Sequence, residues 1–159
     1  MTPSPEEFRR AWGKFPTGVS VVTTRTEDGG AYCTTANAIS SVSLDPLLVH
    51  LSLGKDGLTC ANIVREKRFG INMLRTDQEE LAKFFATASS DERRKLPSAH
   101  EVTPNGTDLL SDALVVMDCR VIQEVEAGDH IIFIAEADGL EVREGEPLVF
   151  YQGRFSKVE

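Results

Sequence analysis

Residues 32–53 read YCTTANAISSVSLDPLLVHLSL, and Thr34, Thr35, Asn37, Ser40, Ser41 and Ser43 crowd ahead of an Asp45-Pro46 turn. A strand with one buried face alternates apolar and polar residues, and this stretch does not. Short side chains let another surface approach the main chain, where hydroxyls and free amides can hydrogen-bond it. That chemistry suits a flat polar ligand carrying a phosphate tail. The same residues also suit a loop whose Ser and Thr satisfy their own backbone, and composition alone leaves both readings open. Neither GxGxxG nor a P-loop is present; Gly54-Lys55-Asp56-Gly57 has the spacing of neither phosphate cradle. His50, His100 and His130 are scattered, so no sequence-local metal site is expected. Cys33, Cys60 and Cys119 form no CxxC pair, which fits a reducing compartment.

Several elements must position these residues. Ser4-x-x-Glu7 with Pro5 reads as a capping box opening a helix. Its stripe of Phe8, Ala11, Trp12 and Phe15 predicts core packing, Trp12 included, with the helix ending near Pro16. Residues 19–24 predict a β-branched strand and 27–30 a turn. Two further strands flank Asp45-Pro46, the second over 47–53. A short helix is expected over 59–65 and a strand over 69–74. A second capping box, Thr76-x-x-Glu79, predicts a helix through Leu81, Phe84 and Phe85, with Phe84 in the core. Residues 87–111 read as an irregular excursion with a turn of helix near 91–95. Residues 115–125 and 131–137 predict a strand pair joined at 126–129, and 148–151 a final strand. Six or seven strands with few helices suggest a mostly-β fold, closed or sandwiched.

The chain has 159 residues and a net charge of −8, which suits one domain over 1–159 and argues against a nucleic-acid or anionic-lipid surface. Its apolar runs are too short to span a membrane, and MTPSPEEF is too acidic and polar for a signal peptide. A cytoplasmic protein is the expectation.

Five segments carry a more specific likeness: TGVSVVTT at 17–24, TTANAISSVSLDPLL at 34–48, FGINML at 69–74, GDHIIF at 128–133 and LVFYQGRF at 148–155. In this order they resemble the short-chain flavin reductases, the reductase components of two-component flavin-dependent monooxygenases. The resemblance implies an FMN-binding split β-barrel of Greek-key type with a few flanking helices. It also implies a homodimer with flavin near the subunit interface. The implied activity is an NAD(P)H:flavin oxidoreductase. Hydride would pass from NADH or NADPH to FMN or FAD, and reduced flavin would diffuse to a separate monooxygenase. The absence of an evident basic cluster favours NADH over NADPH. Alternatives are a split-barrel protein holding FMN tightly and reducing another acceptor, or a non-catalytic domain binding flavin or haem.

By the same resemblance, Thr35, Ala36 and Asn37 would line the isoalloxazine. Lys55 and Thr59, beside Ser41, Val42 and Ser43, would meet its phosphate. Phe85 would touch the flavin, and His130 would position the nicotinamide as the catalytic residue. Tyr151 and Arg154 would hold the pyridine nucleotide. Family members often carry serines where this chain has Asp56 and Gly57. Fewer hydroxyls and an added carboxylate favour a loosely held, exchangeable flavin. Asn72, in an apolar strand, must find hydrogen-bond partners, structural or otherwise.

Overall fold

Val21, Val22, Thr23 and Thr24 are stiff at χ1 and favour extended chain, and they sit in the middle of the molecule. The computed structural model describes residues 1–97 and 99–159. Helix α1 (Pro5–Trp12) comes first, then strands β1 (Thr17–Gly18), β2 (Ser20–Arg25), β3 (Ala31–Ala36), β4 (Ile39–Leu44) and β5 (Leu47–Gly54). Helix α2 (Leu58–Glu66), β6 (Arg68–Met73) and α3 (Glu79–Thr87) follow. The remainder is β7 (His100–Val102), β8 (Asp108–Leu110), β9 (Val115–Ala127), β10 (His130–Val142), β11 (Leu148–Tyr151) and β12 (Arg154–Lys157).

The main sheet has seven strands in the order β3-β2-β6-β9-β10-β5-β4, every pair antiparallel. Its two edge strands, β3 and β4, are joined only by Asn37 and Ala38. Three Cα–Cα steps span at most about 11 Å, whereas the edges of a flat seven-strand sheet stand about 29 Å apart. The sheet therefore curls until its edges meet at that corner. Ser52 N–H donating to the Ala38 carbonyl (3.0 Å) ties β5 there.

Alternate residues of β2 serve opposite faces. Val22 packs with Leu51, Ile63, Phe69, Ile71 and Phe133. Val21 packs with Leu74, Phe85, Leu110 and Leu148 on the other face. Asn72 is fully buried and structural: its Nδ2 donates to the Val21 carbonyl (2.9 Å) and its Oδ1 accepts from Leu110 N–H (2.7 Å). The latter bond fastens the β7–β8 hairpin to the sheet. Buried Asp118 fastens its turn, accepting from Thr103, Asn105 and Thr107 at 3.0, 2.8 and 2.6 Å.

Several expectations need correction. The Ser4–Glu7 capping box forms, but α1 buries nothing: Phe8, Trp12 and Phe15 are 59%, 58% and 62% exposed, stacked edge to face on one another. Periodicity reports an apolar face, not what covers it. Helix α3 does not use Thr76 and Glu79 as a capping box. A 3-10 turn (Thr76–Gln78) precedes it, and Gln78 Oε1 accepts from Arg75 N–H (2.9 Å). Phe84, expected in the core, is half exposed, while Phe85 is fully buried. The 87–111 excursion has the expected helical turn (Glu92–Arg94) but also the β7–β8 hairpin; Ser98 lies outside the described residues. Strand β11 is not the last, because β12 pairs back on it, and the strands number more than the six or seven expected.

Candidate active site

Where β5 runs out at Gly54, the chain turns through Lys55-Asp56-Gly57 into α2. Gly57 is the N-cap and offers no side-chain cap, so the first-turn amides of α2 are left as donors. Beside this turn stands the start of β10, with His130 opposite Gly54. Across from it, Thr34 on β3 and Arg93 complete a cleft of about 360 Å³, lined also by Leu53, Thr59 and Asp129. The structure thus brings His130 into one recess with Lys55 and Thr59, which are near neighbours in sequence.

The electrostatics of the recess are mixed. Lys55 Nζ lies 3.3 Å from Glu126 Oε1, so this cation already has an exposed counter-ion. His130 Nδ1 is 2.8 Å from Asp129 Oδ1, and that hydrogen bond holds the exposed Asp129 carboxyl below its ordinary range. Burial raises the Cys60 thiol beside Thr59, and it pushes Cys33 and Cys119 elsewhere up to about 12. These thiols stay protonated at neutral pH, so thiolate chemistry is not what the recess provides.

On the other side of β3 lies a narrow apolar groove lined by Val19, Thr35, Ala36, Asn37, Ala86, Phe150 and Phe155. Thr35 Oγ1 donates to the Ala82 carbonyl (2.7 Å), and Asn37 Nδ2 donates to Thr17 Oγ1 (3.2 Å). These polar groups hold the corner in shape, leaving small and apolar surface for a flat ring. The cleft carries hydrogen-bond donors together with the Asp56 and Asp129 carboxylates, and the groove is apolar.

Other expected site residues lie elsewhere. Ser41, Val42 and Ser43 sit on β4 opposite Val49 and Leu48, about 20 Å along β5 from Lys55 at 3.3 Å per residue. They are not beside it in the same chain. Val42 falls at a bulge, and Ser43 Oγ accepts from Asp45 N–H (3.2 Å), which makes it a turn residue. Phe85, fully buried against α3's underside of the core, presents no surface to a ligand. Tyr151 and Arg154 flank the exposed β11–β12 turn, where Gln152 N–H donates to the Gly13 carbonyl (3.0 Å).

Sequence reasoning missed Arg93. The local sequence marks only the bend beside it: Glu92 N–H donates to Ser89 Oγ (3.3 Å) and Ser89 N–H to Glu92 Oε2 (2.9 Å). The Ser89 N–H, and its Oγ donating to the same oxygen (3.1 Å), lower the Glu92 carboxyl, the backbone bond most. These bonds brace the chain just ahead of the 3-10 turn (Glu92–Arg94) that carries Arg93.

A model of the flavin reductase like domain family matches residues 12–159. The NADH-dependent FMN reductase AsuE2 of Streptomyces nodosus subsp. asukaensis is 37% identical over 164 residues, covering 99% of this chain and 86% of its own. The reductase component of a 4-nitrophenol 4-monooxygenase/4-nitrocatechol 2-monooxygenase of Rhodococcus opacus is 36% identical, covering 94% of this chain and 78% of its own. The NADH:FAD oxidoreductase SgcE6 of Streptomyces globisporus C-1027, solved with NAD and FAD fragments, superposes with a TM-score of 0.89 at 30% identity. That superposition covers 100% of this chain and 97% of the other.

Proposed function

The chain belongs to the flavin reductase like domain family, and from that premise we propose that it is an NADH-dependent flavin reductase supplying reduced FMN or FAD to a separate monooxygenase. The observation that carries this reading is the convergence of Thr34, Lys55, Thr59 and His130 on one cleft, with the apolar groove of Thr35, Ala36 and Asn37 on the other side of β3. The first-turn amides of α2, with Lys55 and Thr59, hold the phosphate, as helix N-termini suit anions. Val19, Ala36, Phe150 and Phe155 take the ring. Bound flavin and reduced nicotinamide supply the hydride chemistry between them. The chain supplies alignment and donors near the ring, and His130 orients the nicotinamide.

Glu126, already paired with Lys55, competes with the phosphate, and Asp56 adds a second carboxylate to the same turn. Both features support a flavin that exchanges as a substrate. The working form is a homodimer in the cytoplasm. Exposed Phe8, Trp12 and Phe15 support the first point, and three free, buried cysteines the second. Among the described residues no helix is long and apolar enough to cross a membrane.

The test is aerobic oxidation of NADH by purified protein with added FMN or FAD. Turnover that rises and saturates with added flavin is expected. Turnover independent of added flavin, from protein purified yellow, points instead to a tightly held prosthetic group. No turnover with either flavin or with NADPH rejects the reductase reading.

A further inference from the structure

Arginines embedded in this fold meet carboxylates: Arg25 pairs with Asp108, Arg68 with Asp118 and Asp138, Arg75 with Asp77, Arg94 with Asp28 and Arg143 with Glu141. In a chain of net charge −8 such pairing is easily met. Arg93 is different. It is half-buried in the cleft wall, and among the described residues no carboxylate pairs with it. Its Nε donates to the Ala88 carbonyl (3.1 Å), Nη1 to Thr34 Oγ1 (3.2 Å) and Nη2 to the Ala86 carbonyl (3.4 Å). A guanidinium has five N–H donors, so one on each terminal nitrogen is left over. The three acceptors fix the fork in place without neutralising it. Holding an uncompensated cation part-buried costs desolvation free energy that a neutral strap would avoid.

The position of that charge is informative. It faces the same cleft as Lys55, Thr59 and the uncapped start of α2, whose donors share that cleft with the Asp56 and Asp129 carboxylates. Lys55 is shared with Glu126, and Asp56 and Gly57 contribute no hydroxyl. We propose that Arg93 is an affinity- and specificity-determining residue of this cleft, supplying the second cation that lets it read the phosphate monoester of FMN and not the ring alone. The inference rests on the flavin reductase reading and names a residue that reading does not require. A planar fork already anchored through all three nitrogens offers its two remaining N–H groups to phosphate oxygens with little further entropy loss.

Fluorescence titrations with FMN and with riboflavin, which lacks the phosphate, separate the possibilities. Arg93→Gln should weaken FMN on the order of tenfold, the loss of a charge-assisted hydrogen bond, and leave riboflavin within about twofold. Inorganic phosphate should compete with FMN in the wild type and lose that effect in Arg93→Gln. Arg93→Lys keeps a charge and guards against a folding defect: it should retain the wild-type melting temperature and an intermediate FMN affinity. Equal weakening of FMN and riboflavin, or no weakening of either, overturns the proposal while leaving the reductase reading intact. A wild-type protein that binds neither flavin overturns both.

Discussion

His130 reaches the cleft because β10 begins there, opposite Gly54, and its contact with Asp129 steadies the ring. That places an oriented imidazole in the cleft it shares with Lys55 and Thr59. His130→Ala should raise the KM for NADH about three- to tenfold, the scale of one lost hydrogen bond, and leave FMN affinity within about twofold. Steady-state kinetics and a flavin titration check this; equal loss of both, or of neither, removes the assigned role. The family resemblance singled out His130, Lys55 and Thr59, and the fold brings the three into one cleft. Arg93 carried no such mark, because that it lacks a carboxylate partner is revealed only by packing. Phe85 erred in the opposite direction. An aromatic next to a site in sequence went to the core, because α3 turns Phe84 outward and Phe85 inward.

At the scale of elements, the β7–β8 hairpin is tightly fastened to the sheet. It lies across β6 at Gly70, where an added Cβ would stand 2.8 Å from the Asp108 carbonyl and 3.0 Å from Leu109 Cδ2 as well as against Thr23 Oγ1. Thr23 Oγ1 donates to that same Asp108 carbonyl, so the backbone there has no room to retreat. Gly70→Ala should cost about 1–3 kcal/mol, as overpacking in a filled core does, read as a lower urea midpoint with the KM for flavin unchanged. A midpoint equal to wild type would mean the hairpin shifts freely. The hairpin escaped sequence reading because its strands are three residues each, and side chains of Asn72 and Asp118 hold it in place. Long β-branched runs such as β2 were legible, since their extended preference is local.

For the whole molecule, the consequential surface is the aromatic stripe of α1. Phe8 and Phe15 each meet Trp12 and all three meet solvent; Val42 and Leu44 on β4 and Leu47 at the start of β5 are exposed as well. In the proposed homodimer a second copy would cover this surface. Sedimentation equilibrium should show a dimer for the wild type and a monomer for Trp12→Glu, with little change in the stability of the protomer because Trp12 is exposed within it. A wild-type monomer at micromolar concentration would retire the dimer. The sequence by itself determined the mostly-β character, the capped first helix, the strands about Asp45-Pro46 and the family, because strand propensity, turn chemistry and motif order are local or linear properties. Only the tertiary structure decided that β3 and β4 meet as the two edges of one curled sheet, that Ser41 and Ser43 lie a strand's length from Lys55, and that α1 faces outward. Those outcomes depend on register and on what else is available to cover each face, and neither is written in any short stretch of residues.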